Sequence, residues 1–427
     1  TKRAGGIASQ LMLQLVSLCG IVVMLAICFV FSRDRRAIKW RLVGTGLVIQ
    51  ATLGLIFLYW DAGNAALRSV GTGVDKFLSL SAEGSSFVFG ALTDGGTVDA
   101  AMPGDNNGFL FAFMVLPTLI FFSSFMAVLY HLGIMQWVVR RVASVMVRLL
   151  GTSGSESLSA CGNVFVGQTE APLLVKPFLE KMTMSELHAI MVGGFATIAG
   201  GVFALYVGFG VDPGHLMVGS VMAVPAGLIC TKMLWPETER SETMGTVGKI
   251  DNTSYGNVVE AAAGGAGDGM KLALNVAAML IAFLGLVAVL NAGIGMINDQ
   301  WSVGGGLSII FWPIAAVMGV PWDEIPTLAE LLGTKIALTE LVAYKQLGEL
   351  MNPPGDMPSQ ISARTTLIAS FALCGFANIG SVAIQVGGLG AMAPGRRADL
   401  AKLGLRAMFA GALATCMTAC VAGVLSA

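Results

Sequence analysis

Charge is what this chain has least of. Only 12% of its 427 residues are charged, 55% are hydrophobic, and the mean hydropathy is +0.77. A soluble domain carries about 25% charged residues. So much apolar surface cannot be hidden in a water-soluble globule, so the chain uses lipid as solvent. A net charge of −1 lacks the basic excess that would suit a nucleic-acid partner, so none is expected. Histidine is also scarce. His131, His188 and His215 are scattered near the ends of apolar runs, whereas a zinc site needs three or four converging ligands. The seven cysteines (Cys19, Cys28, Cys161, Cys230, Cys374, Cys416 and Cys420) lie in apolar stretches without the close pairing of a disulfide framework. They read as small buried hydrophobes. No serine–histidine, two-aspartate or HExxH pattern accompanies the chain's membrane carboxylates. An intramembrane enzyme working by acid–base chemistry is therefore rejected. A cleavable leader is not expected either. Leu11 to Phe31 is long enough to span, lacks a small-residue cleavage site and runs straight into a basic loop.

Long apolar runs are what the chain has in abundance. Spans are expected at 11–31, 42–60, 109–131, 186–208, 214–234, 258–292, 364–393 and 399–425. Residues 64–82 mix Arg68, Asp75 and Lys76 with apolar residues and suit an interfacial helix, and 94–108 read as a Gly/Asp/Asn-rich loop. Between 134 and 150, Ile134, Trp137, Val138, Val142, Val145 and Leu149 recur at helical spacing, with Arg140, Arg141 and Arg148 largely elsewhere around the helix. That predicts an amphipathic helix at the interface. Residues 156–181 are apolar but interrupted by Asn163, Gln168, Glu170, Pro172, Lys176 and Pro177. Irregular backbone at membrane depth is tolerated only where protein or water covers it, so a re-entrant hairpin is expected there. A second is expected over 307–344, where an apolar run of about 14 residues is too short to cross and Pro321-Trp322 ends it. The fold class is thus an all-α integral membrane protein with eight transmembrane helices and two re-entrant hairpins.

Topology follows from charge. Arg33, Arg35, Arg36, Lys39 and Arg41 sit between the first two spans, while only Lys2 and Arg3 precede the first. The positive-inside rule puts that loop in the cytoplasm and both termini outside. The basic loop with Arg396, Arg397 and Lys402 also falls inside. Hairpins do not cross, so three crossings separate the two hairpins and the halves they open are inverted. The expected organisation is scaffold 1–133, linking helix 134–155, first repeat 156–234, loop and scaffold span 235–300, and second repeat 301–427. Inverted repeats place a transport site near the midplane where they meet.

The repeat carries a doubled pattern. Thr169-Glu170 precedes Gly194-Phe195-Ala196-Thr197-Ile198, and Thr339-Glu340 precedes Gly375-Phe376-Ala377-Asn378-Ile379. A carboxylate at the bilayer centre costs at least ~2.5 kcal/mol, which implies a polar partner, water or substrate. Lys176 and Lys335 are candidate ion-pair partners, the purely structural alternative. Gln168, Thr169, Asn378 and Ser381 add neutral donors and acceptors, and no arginine lies in either motif. The set suits a neutral, polyhydroxylated or heteroaromatic solute better than an anion, and Phe376 offers a face to stack on a ring, with plain packing the commoner use of a lone Phe in a span.

These residues carry a resemblance. Gly167-Gln168-Thr169-Glu170-Ala171-Pro172-Leu173 resembles the first-hairpin motif of the concentrative nucleoside transporters, and Cys374-Gly375-Phe376-Ala377-Asn378-Ile379-Gly380-Ser381 resembles their seventh-span motif. Met135-Gln136-Trp137, Leu116-Pro117-Thr118 and Val320-Pro321-Trp322 extend the likeness along the chain, which looks like the bacterial branch. The resemblance implies a homotrimer in the lipid of a bacterial inner membrane, importing nucleosides with a coupled cation, most simply sodium, by an elevator-like motion. It implies base contacts from Gln168, Thr169 and Glu170, ribose contacts from Glu340, Asn378 and Ser381, and a base pocket lined by Phe376 and Val202. It implies sodium held at Asn163, Val166, Thr197 and Ile198, largely by main-chain carbonyls. Proton coupling, or a free nucleobase as solute, are the alternatives.

Overall fold

Among the described residues of the computed structural model, helices account for all the regular elements. The structure describes residues 2–426 apart from 61, 64, 66–68, 70–71, 74–75, 78, 102–109, 115, 169, 246–254, 299–301 and 354–356. Thr169, Arg68 and Asp75 lie outside the described residues. The main elements are α1 (Lys2–Val30), α2 (Trp40–Gly54), α3 (Leu116–His131), α4 (Ile134–Leu150), α5 (Gly154–Gly162), a tight stretch Ala171–Lys181, α6 (Met184–Ala196), α7 (Gly200–Gly208) and α8 (Pro213–Leu234). Then follow α9 (Val258–Gly295), α10 (Val303–Ala316), α11 (Ile325–Ala337), α12 (Glu340–Met351), α13 (Ala363–Ala372), α14 (Ile379–Met392) and α15 (Arg397–Leu425). Among the described residues, five segments are long and apolar enough to cross a membrane: Gln10–Val30, Trp40–Leu58, Phe111–His131, Pro213–Leu234 and Pro394–Leu425. The expected spans at 186–208 and 364–393 are each broken into two half-helices, α6/α7 and α13/α14. The expected span at 258–292 is one continuous helix, α9.

Local chemistry sets these boundaries. Ser153 with Glu156, and Thr183 with Glu186, form reciprocal capping boxes that start α5 and α6. Asp212 accepts from the amides of Gly214 and His215, with Pro213 at the first turn of α8. Residues 95–101, expected as loop, form a short helix, and the Asp94 carboxylate accepts from the Thr97 amide at its start.

One expected boundary is corrected. The second hairpin is not 307–344. The apolar run 307–320 belongs mainly to a separate helix, α10, packed along α11, and the hairpin itself is α11 and α12, turning at Leu338-Thr339. The amphipathic helix α4 forms over the expected residues. It buries Met135, Gln136, Val139, Ala143, Met146 and Leu150, while Ile134, Trp137, Val142, Val145 and Leu149 face outward. In lipid, an outward apolar stripe is as stable as a buried one, so periodicity alone does not say which face meets protein.

The core lies around α6, α8 and α15, which are buried on nearly all sides and therefore apolar all round. α1 packs on α15, and α2 on α8. α3 instead lies along α9, backbone close to backbone. β-Carbons at Gly265 and Gly269 would run into Ser123–Ser124 and Leu119–Ile120, the contact that paired small residues make possible in membranes. Polar contacts group the loops at two ends. At one, the Arg33 amide donates to the Leu234 carbonyl (3.0 Å) and its guanidinium lies 4.4 Å over Trp235. Arg396 reaches the carbonyl of Met182 at the same end (2.5 Å). At the other, Gln14 near the N-terminus donates to the Ser426 carbonyl (2.8 Å), and Arg364 bonds Gly319, Gly423 and Ser426.

Candidate functional site

The site is built where the two broken helices cross. α6 stops at Ala196 and α7 begins at Gly200; α13 stops at Ala372 and α14 begins at Ile379. Each break coincides with a Gly-Phe-Ala repeat. Gly375 has φ +91°, and a β-carbon there would strike the backbone of Phe195 and Ala196. Only glycine meets both demands, the left-handed conformation and the close approach. The doubled motif is thus a contact between the halves.

A chain of polar side chains runs through this crossing. Glu340 opens α12 and is 3% exposed. One carboxylate oxygen accepts from the Tyr206 hydroxyl on α7 (3.2 Å), the other from the Asn378 amide (2.9 Å). The Asn378 carbonyl oxygen accepts from the Ser381 amide (2.8 Å), capping α14. Gln168, at the tip of the first hairpin, donates to the Ser381 hydroxyl (3.3 Å). Its own oxygen accepts from Gln385 (3.0 Å), which also donates to the Met191 carbonyl (3.1 Å). Four elements are therefore joined: the first hairpin, the α6/α7 pair, the second hairpin and α14. Val202 is buried on α7 and Phe376 half-buried beside the break. Glu170 is exposed at the hairpin tip, with its carboxylate folded back over Gly167.

Lys335 does not form the ion pair that the sequence left open as the structural alternative for Glu340. Lys176 is exposed, and the Lys335 ammonium bonds Ala372, Cys374 and Thr415. Glu340 is instead held by two neutral donors, and an ionised carboxylate has lone pairs left for a polyol. Two residues of the network escaped sequence reasoning. Tyr206 stacks on Tyr344 (4.3 Å between centroids), whose hydroxyl donates to the Ser370 carbonyl (2.8 Å). Gln385 was visible only as a lone amide in an apolar half-helix. Tyr206→Phe keeps the stack and removes one bond to the carboxylate. About 1–1.5 kcal/mol is expected for a long bond of this kind, so solute affinity should fall about five- to tenfold in equilibrium binding, with the folded fraction unchanged.

Asn163, Val166, Thr197 and Ile198 all lie in the two breaks, between α5 and Ala171–Lys181 and between α6 and α7. Residues beyond a helix end are where main-chain carbonyls escape the helical ladder. Asn163 is buried. Its Nδ2 donates to the Ser159 carbonyl (3.0 Å), and its Oδ1 has no hydrogen-bond partner. The Thr197 hydroxyl donates to the Gly193 carbonyl (2.9 Å), and the Asn163 amide packs against Gly193, so one glycine brings the two together. A buried oxygen without a donor beside a hydroxyl and loop carbonyls suits a hard cation, by analogy with calcium sites. Among the described residues no histidine, cysteine and carboxylate cluster could hold a transition metal.

Broken helices that meet beside a buried carboxylate are the arrangement from which membrane transporters build a midplane site. Family comparison gives the second step. Residues 215–423 match the model described as Na+ dependent nucleoside transporter C-terminus, residues 19–92 its N-terminal counterpart, and residues 112–212 a nucleoside recognition gate. The chain belongs to the Na+ dependent nucleoside transporter family, the concentrative nucleoside transporters. It is 42% identical over 426 residues to mouse sodium/nucleoside cotransporter 1, covering 96% of this chain and 64% of the mouse protein. An uncharacterized transporter of Haemophilus influenzae is 44% identical over 416 residues, covering 96% of this chain and 97% of the relative. The chain thus spans less than two thirds of the mammalian relatives and nearly all of the bacterial one. The solved structure of CNTnw in an inward-facing substrate-bound state superposes with a TM-score of 0.91 at 41% identity, covering 97% of this chain and 98% of that one. An outward-facing form of a CNTnw variant matches equally well, also at 0.91.

Proposed function

We propose that this protein is a cation-coupled nucleoside symporter, with sodium as the coupling ion. The observation that carries the reading is the Glu340–Asn378–Ser381–Gln168 chain at the crossing of two broken helices. Glu340 and Asn378 take the ribose hydroxyls. Gln168, with Thr169 and Glu170 on the same hairpin, takes the base edge, and Val202 and Phe376 give it an apolar wall. Asn163, Val166, Thr197 and Ile198 take the sodium, which travels as co-substrate. Because the Gly375 turn rests on Phe195–Ala196, filling one site settles the backbone of the other. A membrane potential of 100 mV contributes about 2.3 kcal/mol per charge moved, so one cation drives roughly 50-fold accumulation from voltage alone.

Alternating access needs a fixed part and a moving part. The sequence order suggested α1 to α3 and α9 as the frame. The packing supports a smaller one, the α3–α9 pair. α1 and α2 lie on α15 and α8, so they travel with the hairpins and broken helices. α4 and α10 each precede a hairpin and join it to the frame. The same order of elements, α4 to α8 and α10 to α15, supports the inverted repeat. The outward apolar residues of α9 and α10, Ile281, Val289, Ile309 and Ile310 among them, suit lipid or the neighbouring copies of a homotrimer. The inner membrane of a bacterium is the proposed location, with both termini outside. Arg33 and Arg396 then share the cytoplasmic end, and Gln14 with Ser426 the outer one.

Substrate class is tested by equilibrium binding to purified protein in sodium buffer. Uridine should bind, 2′,3′-dideoxyuridine at least about 100-fold more weakly, and uracil more weakly still, since each bond to a charged group contributes about 1.5–3 kcal/mol. Uracil binding as well as uridine would favour a nucleobase carrier and remove the ribose role from Glu340.

A further inference from the structure

Lys335 is a fully buried cation that the substrate and sodium readings leave unused. It lies in the last turn of α11 and is 1% exposed. Its three ammonium protons meet three acceptors: the carbonyls of Ala372 (2.8 Å) and Cys374 (2.9 Å) and the Thr415 hydroxyl (2.9 Å). The two carbonyls stand at the broken C-terminal end of α13, where a positive charge is favourable and where carbonyls lack helical partners. One residue further on is Gly375, whose Cα rests on Phe195 and Ala196, immediately before Thr197.

The repeat makes this placement informative. Aligning the Gly-Phe-Ala motifs sets Cys374 against Gly193. In the first half, the Gly193 carbonyl takes the Thr197 hydroxyl. In the second half, the Cys374 carbonyl takes the Lys335 ammonium, while Asn378, at the place of Thr197, has turned to Glu340 and the Ser381 amide. The same alignment of the Thr-Glu pairs sets Phe165 against Lys335, so the first half has no such lysine.

We propose that Lys335 is a positioning residue that serves the second half as a tethered cation. It holds the α13 break in the shape that presses Gly375 on the α6 break, and so transmits occupancy between the cation site and the nucleoside site. The first half must take up a free cation to settle its break; the second carries its own. This rests on the symporter reading for what the two sites hold, but not for the backbone coupling itself.

The test is the factor by which saturating sodium raises uridine affinity, measured by calorimetry on purified protein. Coupling energies between sites correspond to roughly 5- to 150-fold. Wild type is expected in that range, Lys335→Met below about twofold, and Lys335→Arg in between, because it keeps the charge but not the three-point fit. A Lys335→Met protein with the wild-type factor overturns the proposal. If Lys335→Met does not fold, Thr415→Val removes one of the three acceptors and should lower the factor at least about twofold; an unchanged factor overturns the proposal equally. Amide hydrogen exchange without any ligand separates this idea from the functional one. The substitution should speed exchange in 194–199 as well as in 372–378. Exchange confined to 372–378 contradicts transmission between the breaks, whatever the solute proves to be. Wild type with no sodium effect on uridine sinks the symporter reading and leaves the exchange result to judge Lys335.

Discussion

Replacing Glu340 by glutamine lowers uridine affinity by at least about 100-fold, and transport at low uridine falls with it. The substitution keeps the size of the side chain and removes its charge. Ionised, Glu340 accepts from Tyr206 and Asn378 and retains lone pairs for two ribose hydroxyls. Glutamine turns one acceptor into a donor, which would point its protons at the Asn378 amide or at Tyr206. Two bonds to a charged group contribute about 3 kcal/mol or more together, which sets the fold-change. Sodium affinity in the absence of nucleoside should change little, because Glu340 lies on α12 and the cation residues lie in the other two breaks. The measurement is paired titration of uridine and sodium. Wild-type uridine affinity in Glu340→Gln removes the carboxylate from the ribose site.

Thr197→Val should do the reverse. Valine matches threonine in shape and deletes the hydroxyl, both as a cation ligand and as the donor to Gly193. Loss of a ligand of this kind, at about 1.5 kcal/mol, raises the half-saturating sodium concentration about tenfold. Uridine affinity at saturating sodium stays within about twofold. Thr197→Ser restores the sodium response, since either hydroxyl supplies a hard oxygen. A valine variant that keeps the wild-type sodium dependence would leave the site to the carbonyls alone.

The sequence made legible what physics forces to be conspicuous. Glu340 and Asn378 stood out because polar groups in lipid are costly, and they do meet. The helix breaks stood out because glycine and proline interrupt apolar runs, and the basic loops gave the grouping of ends later seen in Arg33 and Arg396. Other features left no such mark. Tyr206 sits in the apolar run Val202–Val207 and gains its role only by facing α12. The first arm of the second hairpin was misplaced because α11 carries Glu330 and Lys335 and reads as less apolar than α10. The buried face of α4 left no mark either, because the helix is apolar on two sides and lipid accepts what water would reject. The ion pair with a lysine, the structural alternative for Glu340, does not form. Lys335 was close enough in sequence to pair with Glu340, yet the unmet carbonyls of α13 claim it, and carbonyls have no signature in sequence.

The most direct test of the whole account is labelled uridine uptake into proteoliposomes, with sodium and proton gradients imposed separately. An inward sodium gradient should drive uridine above its external concentration, an added inside-negative potential should increase that accumulation, and a sodium ionophore should abolish it. A proton gradient alone should give only equilibration. Accumulation driven by protons and indifferent to sodium, or equilibration under both gradients, would contradict the assignment of Asn163, Val166, Thr197 and Ile198 to a coupled sodium ion.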